Sequence, residues 1–207
     1  MHHFKTSELS NKQQYKLLTG SVIPRPIAWI TTLNEEAGIV NAAPFSFFSV
    51  ASNQIPLLTV SILRSEGNPK DTAVNLLKQK QAVVHIVNRA LAEDMNETSA
   101  PLKPEESEIN RTKLSLVDSS SVSVPAIKES LIRFETTLYQ HIPIKNAEGE
   151  IVTDHFLLNV TDVHLDDSVF DPEKEYILPE ILNPVSRLSG SAYSELGPLF
   201  SIKRPTN

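Results

Sequence analysis

The chain predicts a mainly β domain, antiparallel and carrying short helices, on three observations. Short runs rich in Val, Ile, Leu and aromatic residues alternate with turn-forming clusters of Asn, Gly, Pro and Ser. Two long runs, 131–144 and 151–165, are joined by Asn146-Ala147-Glu148-Gly149, as in a hairpin. A helical period is confined to short stretches, so strands outnumber helices.

In chain order, residues 13–18 form a short helix or turn. Residues 22–33 are extended, because Pro24 and Pro26 exclude a helix while Ile27, Trp29 and Ile30 favour strand. The turn NEEAG reverses the chain, and 39–42 returns as the second arm of a hairpin. Residues 57–63 (LLTVSIL) make a buried strand bounded by Pro56 and by Glu66-Gly67-Asn68-Pro69. Residues 71–80 change period: Val74 and Leu77, with Ala73 and Leu76 beside them, predict a helix capped by Asp71 or Thr72. Strand resumes over 81–88, followed by a helical turn at 90–96 and a polar loop with a short helix at 105–113. Residues 119–124 are a serine-rich connection. In the first long run Ile132, Phe134, Thr136 and Leu138 share one face, with Arg133, Glu135 and Thr137 on the other. The tail from Asp171 is punctuated by proline. No internal repeat is visible, and residues 1–207 read as one domain.

Composition narrows function. Of 207 residues 40% are hydrophobic and 21% charged, the balance of a globular protein. The net charge of −6 argues against nucleic acid or an anionic membrane as the main partner. A phosphorylated cofactor would need a local gathering of positive groups. The chain has no cysteine, which excludes disulfides, thiolate nucleophiles, iron–sulfur clusters and thiolate zinc sites. There is no apolar signal core and no apolar run near ~18 residues, so a cytoplasmic protein is expected. His2 and His3 are either a metal-binding end or a mobile terminus.

The segment SVIPRPIAWITTLNEEAGIVNAAPFSFFSV, residues 21–50, carries most of the functional information. It mixes Asn41, Ser46 and Ser49 with Pro44, Phe45, Phe47 and Phe48. That mixture suits a flat apolar ligand with polar groups along one edge, such as a flavin ring. Trp29 and the three phenylalanines are either a stacking wall or core. Asn68-Pro69-Lys70-Asp71-Thr72 precedes a helix whose free N–H groups favour an anion. The same residues could instead serve only as a cap, and Asp71 opposes an anion. Arg25, stiffened by two prolines, is either an anion clamp or a surface arginine. Ser61 either bonds to backbone or lines a pocket. His85, His141, His155 and His164 are scattered and read as structural. Glu105-Glu106-Ser107-Glu108 reads as a solvated acidic face. HExxH, GxSxG, GxGxxG and GxxxxGKS/T motifs are all absent, so no metal site, hydrolase elbow, Rossmann site or P-loop is expected.

Taken together, VIPRPIAWITT, then G-x-x-NAAPFSFF, then KDTxxN and finally NPVSRLSGSAY resemble the flavin reductase-like family with its FMN-binding split barrel. The resemblance covers about residues 17–193. It implies a six-stranded antiparallel Greek-key split barrel with short helices, a homodimer, and FMN near the subunit interface. Carried over by position, Thr31 and Thr32 would face the flavin or its ribityl chain. Asn41, Pro44, Phe45 and Ser46 would line the ring, and Lys70, Asp71 and Thr72 would meet the phosphate end. Ser61 and Asn88 would be polar neighbours, and Arg187 and Tyr193 match the tail motif. A flavin reductase is implied, with NAD(P)H as a transient co-substrate passing hydride to FMN and no protein catalytic residue or metal. A non-enzymatic FMN carrier or store is the alternative, and a barrel for another flat ligand such as haem is a third reading. An apolar face of Trp29 with Phe47 would suit a second copy.

Overall fold

The computed structural model describes residues 1–103 and 105–205; Pro104, within the expected polar loop, and the last two residues lie outside them. Seven strands form the main sheet: β1 (Ala28–Asn34), β2 (Ile39–Phe45), β3 (Phe48–Val50), β4 (Leu57–Leu63), β5 (Gln81–Ile86), β6 (Ile132–Lys145) and β7 (Ile151–Leu165). Every pairing is antiparallel, in the order β2-β1-β5-β6-β7-β4-β3. The mainly β expectation holds, with the three-residue β3 as an added edge strand.

The order fixes the shape. β2 and β3 lie at opposite edges of the sheet, yet only Ser46 and Phe47 separate them in sequence. The three steps from Phe45 to Phe48 span at most about 11 Å, so the sheet must curl until its edges approach. The seam of this half-barrel is therefore the NAAPFSFF segment.

Two clusters fill the two faces. Ala28, Ile30, Phe45, Leu58, Val60, Ile62, Phe156 and Leu158 pack inside the curl, and helix α2 (Asp71–Gln79) adds Ala73 and Leu76. Alternation puts Trp29 on the other face of β1, with Ala42, Val87, Met95, Ile109 and Ile127. Both faces are covered, which is why β1 is buried at five successive residues. Trp29 is fully buried and its Nε1–H donates to Thr98 Oγ1 at 2.9 Å. It is core, so the expected exposed face with Phe47 does not exist.

Helix α1 (Asn11–Ser21) is longer than expected and begins with a capping box of Ser10 and Gln13. The N-cap of α2 is Lys70, without a side-chain cap. Asp71 is already helical, and the Thr72 hydroxyl donates to Asn41 Oδ1 at 2.9 Å. Neither residue is the cap that sequence suggests, because Lys70 is still extended, at ψ 155. The short helix expected at 105–113 is a turn over Glu108–Arg111.

Two buried ionisable groups tie distant segments to the sheet. Glu135 accepts from the N–H of Ser120 (2.7 Å), the N–H of Ser121 (2.6 Å) and His164 Nε2 (2.6 Å). Burial alone would raise its carboxyl; these donors outweigh burial and hold it below the usual carboxylate range. His85 receives the Ile127 N–H at Nε2 (2.9 Å), so its proton lies on Nδ1 and is donated to Trp29 O (2.9 Å). Burial, aided by nearby Arg133 and opposed by the Trp29 carbonyl, lowers it to about 4. A depressed histidine binds its proton more readily when unfolded. Its contribution to stability is therefore complete at neutral pH and is lost as pH falls from about 6.5 towards 4. The His85 ring resonances should stay in the neutral form at pH 5 by NMR, where an ordinary histidine is protonated. Titration near pH 6.5 would contradict the buried geometry.

Candidate ligand cleft at the barrel seam

Three adjoining hollows of about 430, 150 and 320 Å³ open around the seam, and Pro44 and Lys70 line all three. β2 carries Asn41, Pro44 and Phe45 to this edge; the start of α2 brings Lys70 across, its Nζ 5.8 Å from the Phe45 ring centroid. A ridge of proline and aromatic surface thus runs between polar corners.

The 430 Å³ hollow is cationic. Arg25, Lys70 and Arg187 line it, with no Asp or Glu among its described lining residues. Arg25 and Arg187 are brought together by strand register, since Arg25–Pro26 pairs with Ser186–Arg187, which in turn pairs with Tyr193–Ser194. The SRLSGSAY motif is therefore a tight reversal, and Gly190, at φ 60, supplies its left-handed turn. Arg187 donates to Tyr193 Oη and Gly190 O, and its guanidinium lies 4.6 Å from the Tyr193 ring centroid. Arg25 is buried and donates to the carbonyls of Thr19, Val22 (2.7 Å) and Leu188 (2.8 Å). Its Nε is buried and finds no hydrogen-bond partner among the described residues. Arg25 is thus mainly a tie between segments, though its charge remains at the hollow. Like charges gathered without a carboxylate repel, and an anion would relieve them.

The 320 Å³ hollow has the opposite character. Asp71 and Glu108 line it with Lys70, Asn41 and Thr72. Glu108 is only 5% exposed. It accepts from Asn41 Nδ2 at 2.8 Å and from the Ala42 N–H at 3.0 Å. Thr32 Oγ1 donates to Asn41 Oδ1 (3.4 Å) and accepts from Asn75 Nδ2 (3.2 Å), which extends the network under β2. Burial pushes the Glu108 carboxyl up, with Asp71 adding to it, against the Ala42 and Asn41 donors. Burial and Glu105 likewise raise Asp71. An anion beside Asp71 and Glu108 would face both carboxylates.

Asn41, Pro44, Phe45, Ser46, Lys70, Asp71 and Thr72 line the hollows; so do Ser61, in the 150 Å³ one, and Arg187. Thr32 lies behind Asn41. Two candidates stand apart. Thr31 is fully buried and donates to Pro125 O at 2.9 Å, because adjacent strand residues face opposite ways. Asn88 accepts from the Leu91 N–H at 3.2 Å, capping the next turn, and lines none of these hollows. Glu108 was missed: within an acidic run it reads as solvated, and only Ile109, a core residue, signalled that the segment docks. A larger hollow, about 990 Å³, shares Asn96 and Tyr193 with the cationic one, and Arg89 there pairs with Glu195 at 3.4 Å.

The family profile described as "Flavin reductase like domain" matches residues 19–179. The chain belongs to the flavin reductase-like family. YwrF of Bacillus subtilis is 50% identical over 206 residues, spanning 100% of both chains. The structure of nitrilotriacetate monooxygenase component B from Bacillus cereus is 39% identical, with a TM-score of 0.93 over 98% of each chain. A split barrel domain protein from Shewanella frigidimarina, 20% identical, has a TM-score of 0.83 over 99% of this chain and 100% of its own, which shows the shared fold. For a flavin reductase-like chain a flavin is the implied ligand and oxidoreduction the implied class of chemistry. No helix of the described residues is long and apolar enough to cross a membrane.

Proposed function

We propose that this chain is an FMN-dependent oxidoreductase, a flavin reductase in which NAD(P)H passes hydride to the flavin. The observation that carries FMN rather than an unphosphorylated flavin is the hollow where Arg25, Lys70 and Arg187 meet without a lining carboxylate. Lys70 and Arg187 would hold the phosphate through charge-assisted hydrogen bonds, and buried Arg25 would add its charge from behind. Asn41, Pro44, Phe45, Ser46 and Ser61 would border the ring, with Thr32 and Thr72 fixing Asn41. Asp71 would stay at the opposite corner. Lys70 keeps the phosphate role that sequence gives it, while Arg187 replaces Thr72 as its partner.

The bound flavin would supply the redox chemistry, and the protein placement and charge. A nicotinamide would need only close approach to the ring edge. A homodimer is part of this reading, supported by exposed Val50, Leu63, Ile142, Ile144 and Val152 on the strands. A cytoplasmic setting suits a chain without cysteine.

Anaerobic mixing of the FMN-loaded protein with NADH or NADPH tests this reading. Rapid loss of the yellow colour is expected with at least one of them. Bound FMN that neither donor bleaches would replace the reductase with a flavin carrier.

A further inference from the structure

A further hollow, of about 490 Å³, adjoins the cationic one and shares Thr19, Arg25 and Ser46 with it. Its chemistry is different. Leu18, Val22, Pro24, Pro26, Phe47 and Phe48 line it, and Arg25 is the single ionisable residue of its described lining. It is an open groove and not a void in the core, since Leu18 and Val22 are 64% and 63% exposed. β3 forms one wall through Phe48 and Ser49, and β3 ends the sheet. The Ala51 N–H donates to Leu57 O on β4 at 2.9 Å, so by alternation the N–H and C=O of Val50 point away from β4, to a free edge. An apolar groove bordered by a free strand edge fits an extended apolar peptide.

The chain carries such a peptide. Beyond Ser194 the described residues belong to no helix or strand, and among them 196–205 make no backbone hydrogen bond. Pro198 and Pro205 bracket Leu199-Phe200-Ser201-Ile202-Lys203-Arg204, six residues that all keep a free N–H to donate. Leu199 is exposed, and Phe200 and Ile202, which share a face of an extended segment, are each 83% exposed. Groove and arm are thus two apolar surfaces of matching form, and covering one with the other is favourable.

The arm of the same chain is badly placed to do so. It leaves from Glu195, which lines the 990 Å³ hollow with its ion-pair partner Arg89. The cationic hollow meets that one at Asn96 and Tyr193, and meets the groove at Thr19, Arg25 and Ser46. To reach the groove the arm would cross Arg187 and the phosphate seat. A second copy has no such obstacle. Val50, itself 71% exposed, also joins the groove to the apolar strand face that the homodimer would cover.

We propose that the groove receives residues 199–202 of a second copy of this chain, an arm that closes the ligand cleft from outside at Ser46 and Phe47. The exchange is reciprocal, two arms in two grooves about a two-fold axis. This rests on the homodimer within the reading above.

A chain without cysteine makes a direct test clean. Full-length double variants, Phe200→Cys with Leu18→Cys and Phe200→Cys with Val22→Cys, are oxidised and run on a non-reducing gel. At least one should give a covalent dimer that reductant dissolves and that the single variants do not form. A disulfide within one chain, or no disulfide in either pair, would overturn the proposal. Independently, Phe200→Asp with Ile202→Asp should raise the dimer dissociation constant about tenfold or more by sedimentation, with the circular dichroism of the fold unchanged. An unchanged dissociation constant would also overturn it. A wild-type chain that sediments as a monomer throughout the micromolar range would remove the homodimer and the arm together, while the anaerobic bleaching trial would still decide the reductase reading by itself.

Discussion

Replacing Lys70 and Arg187 together by alanine is expected to weaken FMN binding about a hundredfold or more while changing riboflavin affinity less than about fivefold. A hydrogen bond to a charged group contributes about 1.5–3 kcal/mol, so losing two costs about 3 kcal/mol at the lower end, slightly over a hundredfold. Riboflavin lacks the phosphate and reports the ring contacts alone. The difference should shrink as salt rises, since part of the hollow is open to solvent. Arg187 also holds Tyr193 and Gly190, so the thermal midpoint of the variant is the necessary control. Thr72→Ala should matter less to the phosphate, because that hydroxyl already donates to Asn41. Equal losses for FMN and riboflavin in the double variant would place the phosphate elsewhere.

Glu108→Ala is expected to destabilise the fold by about 2–5 kcal/mol, read from urea unfolding at neutral pH. The substitution strips the acceptor from two donors, Asn41 Nδ2 and the Ala42 N–H. A buried donor left unpaired costs about 1–3 kcal/mol. The cost stands although burial also makes the Glu108 charge unfavourable, because removing one partner differs from never burying the group. pH separates the two effects. Glu108 is raised in the fold, so its titration adds stability in acid that is lost as pH rises through its folded-state value. Glu108→Gln keeps an acceptor and the shape, should cost less than alanine, and should remove that pH-dependent part. A Glu108→Ala variant as stable as wild type would mean that the segment does not dock as described.

The sequence made visible what depends on neighbours in the chain. The β1–β2 hairpin, helix α2 and the long β6–β7 pair follow from alternation, helical period and turn residues; α2 and β6–β7 formed close to their expected bounds, while β1 starts at Ala28 rather than at 22 and β2 runs on to Phe45. NAAPFS and Lys70 were readable for the same reason, because their mixture of residue types is local. What depends on distant pairing was hidden. Glu108 finds Asn41 across 67 residues, and no local pattern marks that partnership. Arg25 meets Arg187 only through strand register. Thr31 is a different matter: alternation along β1 already implies that Thr31 and Thr32 cannot share a face. Asn88, directly before a helical turn, carried the ordinary chemistry of a cap.

The central claim is that the barrel seam grips FMN by its ring edge and its phosphate. Calorimetric titration of FMN into the flavin-free protein tests it most directly. A saturable isotherm that weakens clearly when riboflavin replaces FMN is the predicted result. No saturable heat with FMN, or equal affinity for both flavins, would contradict it.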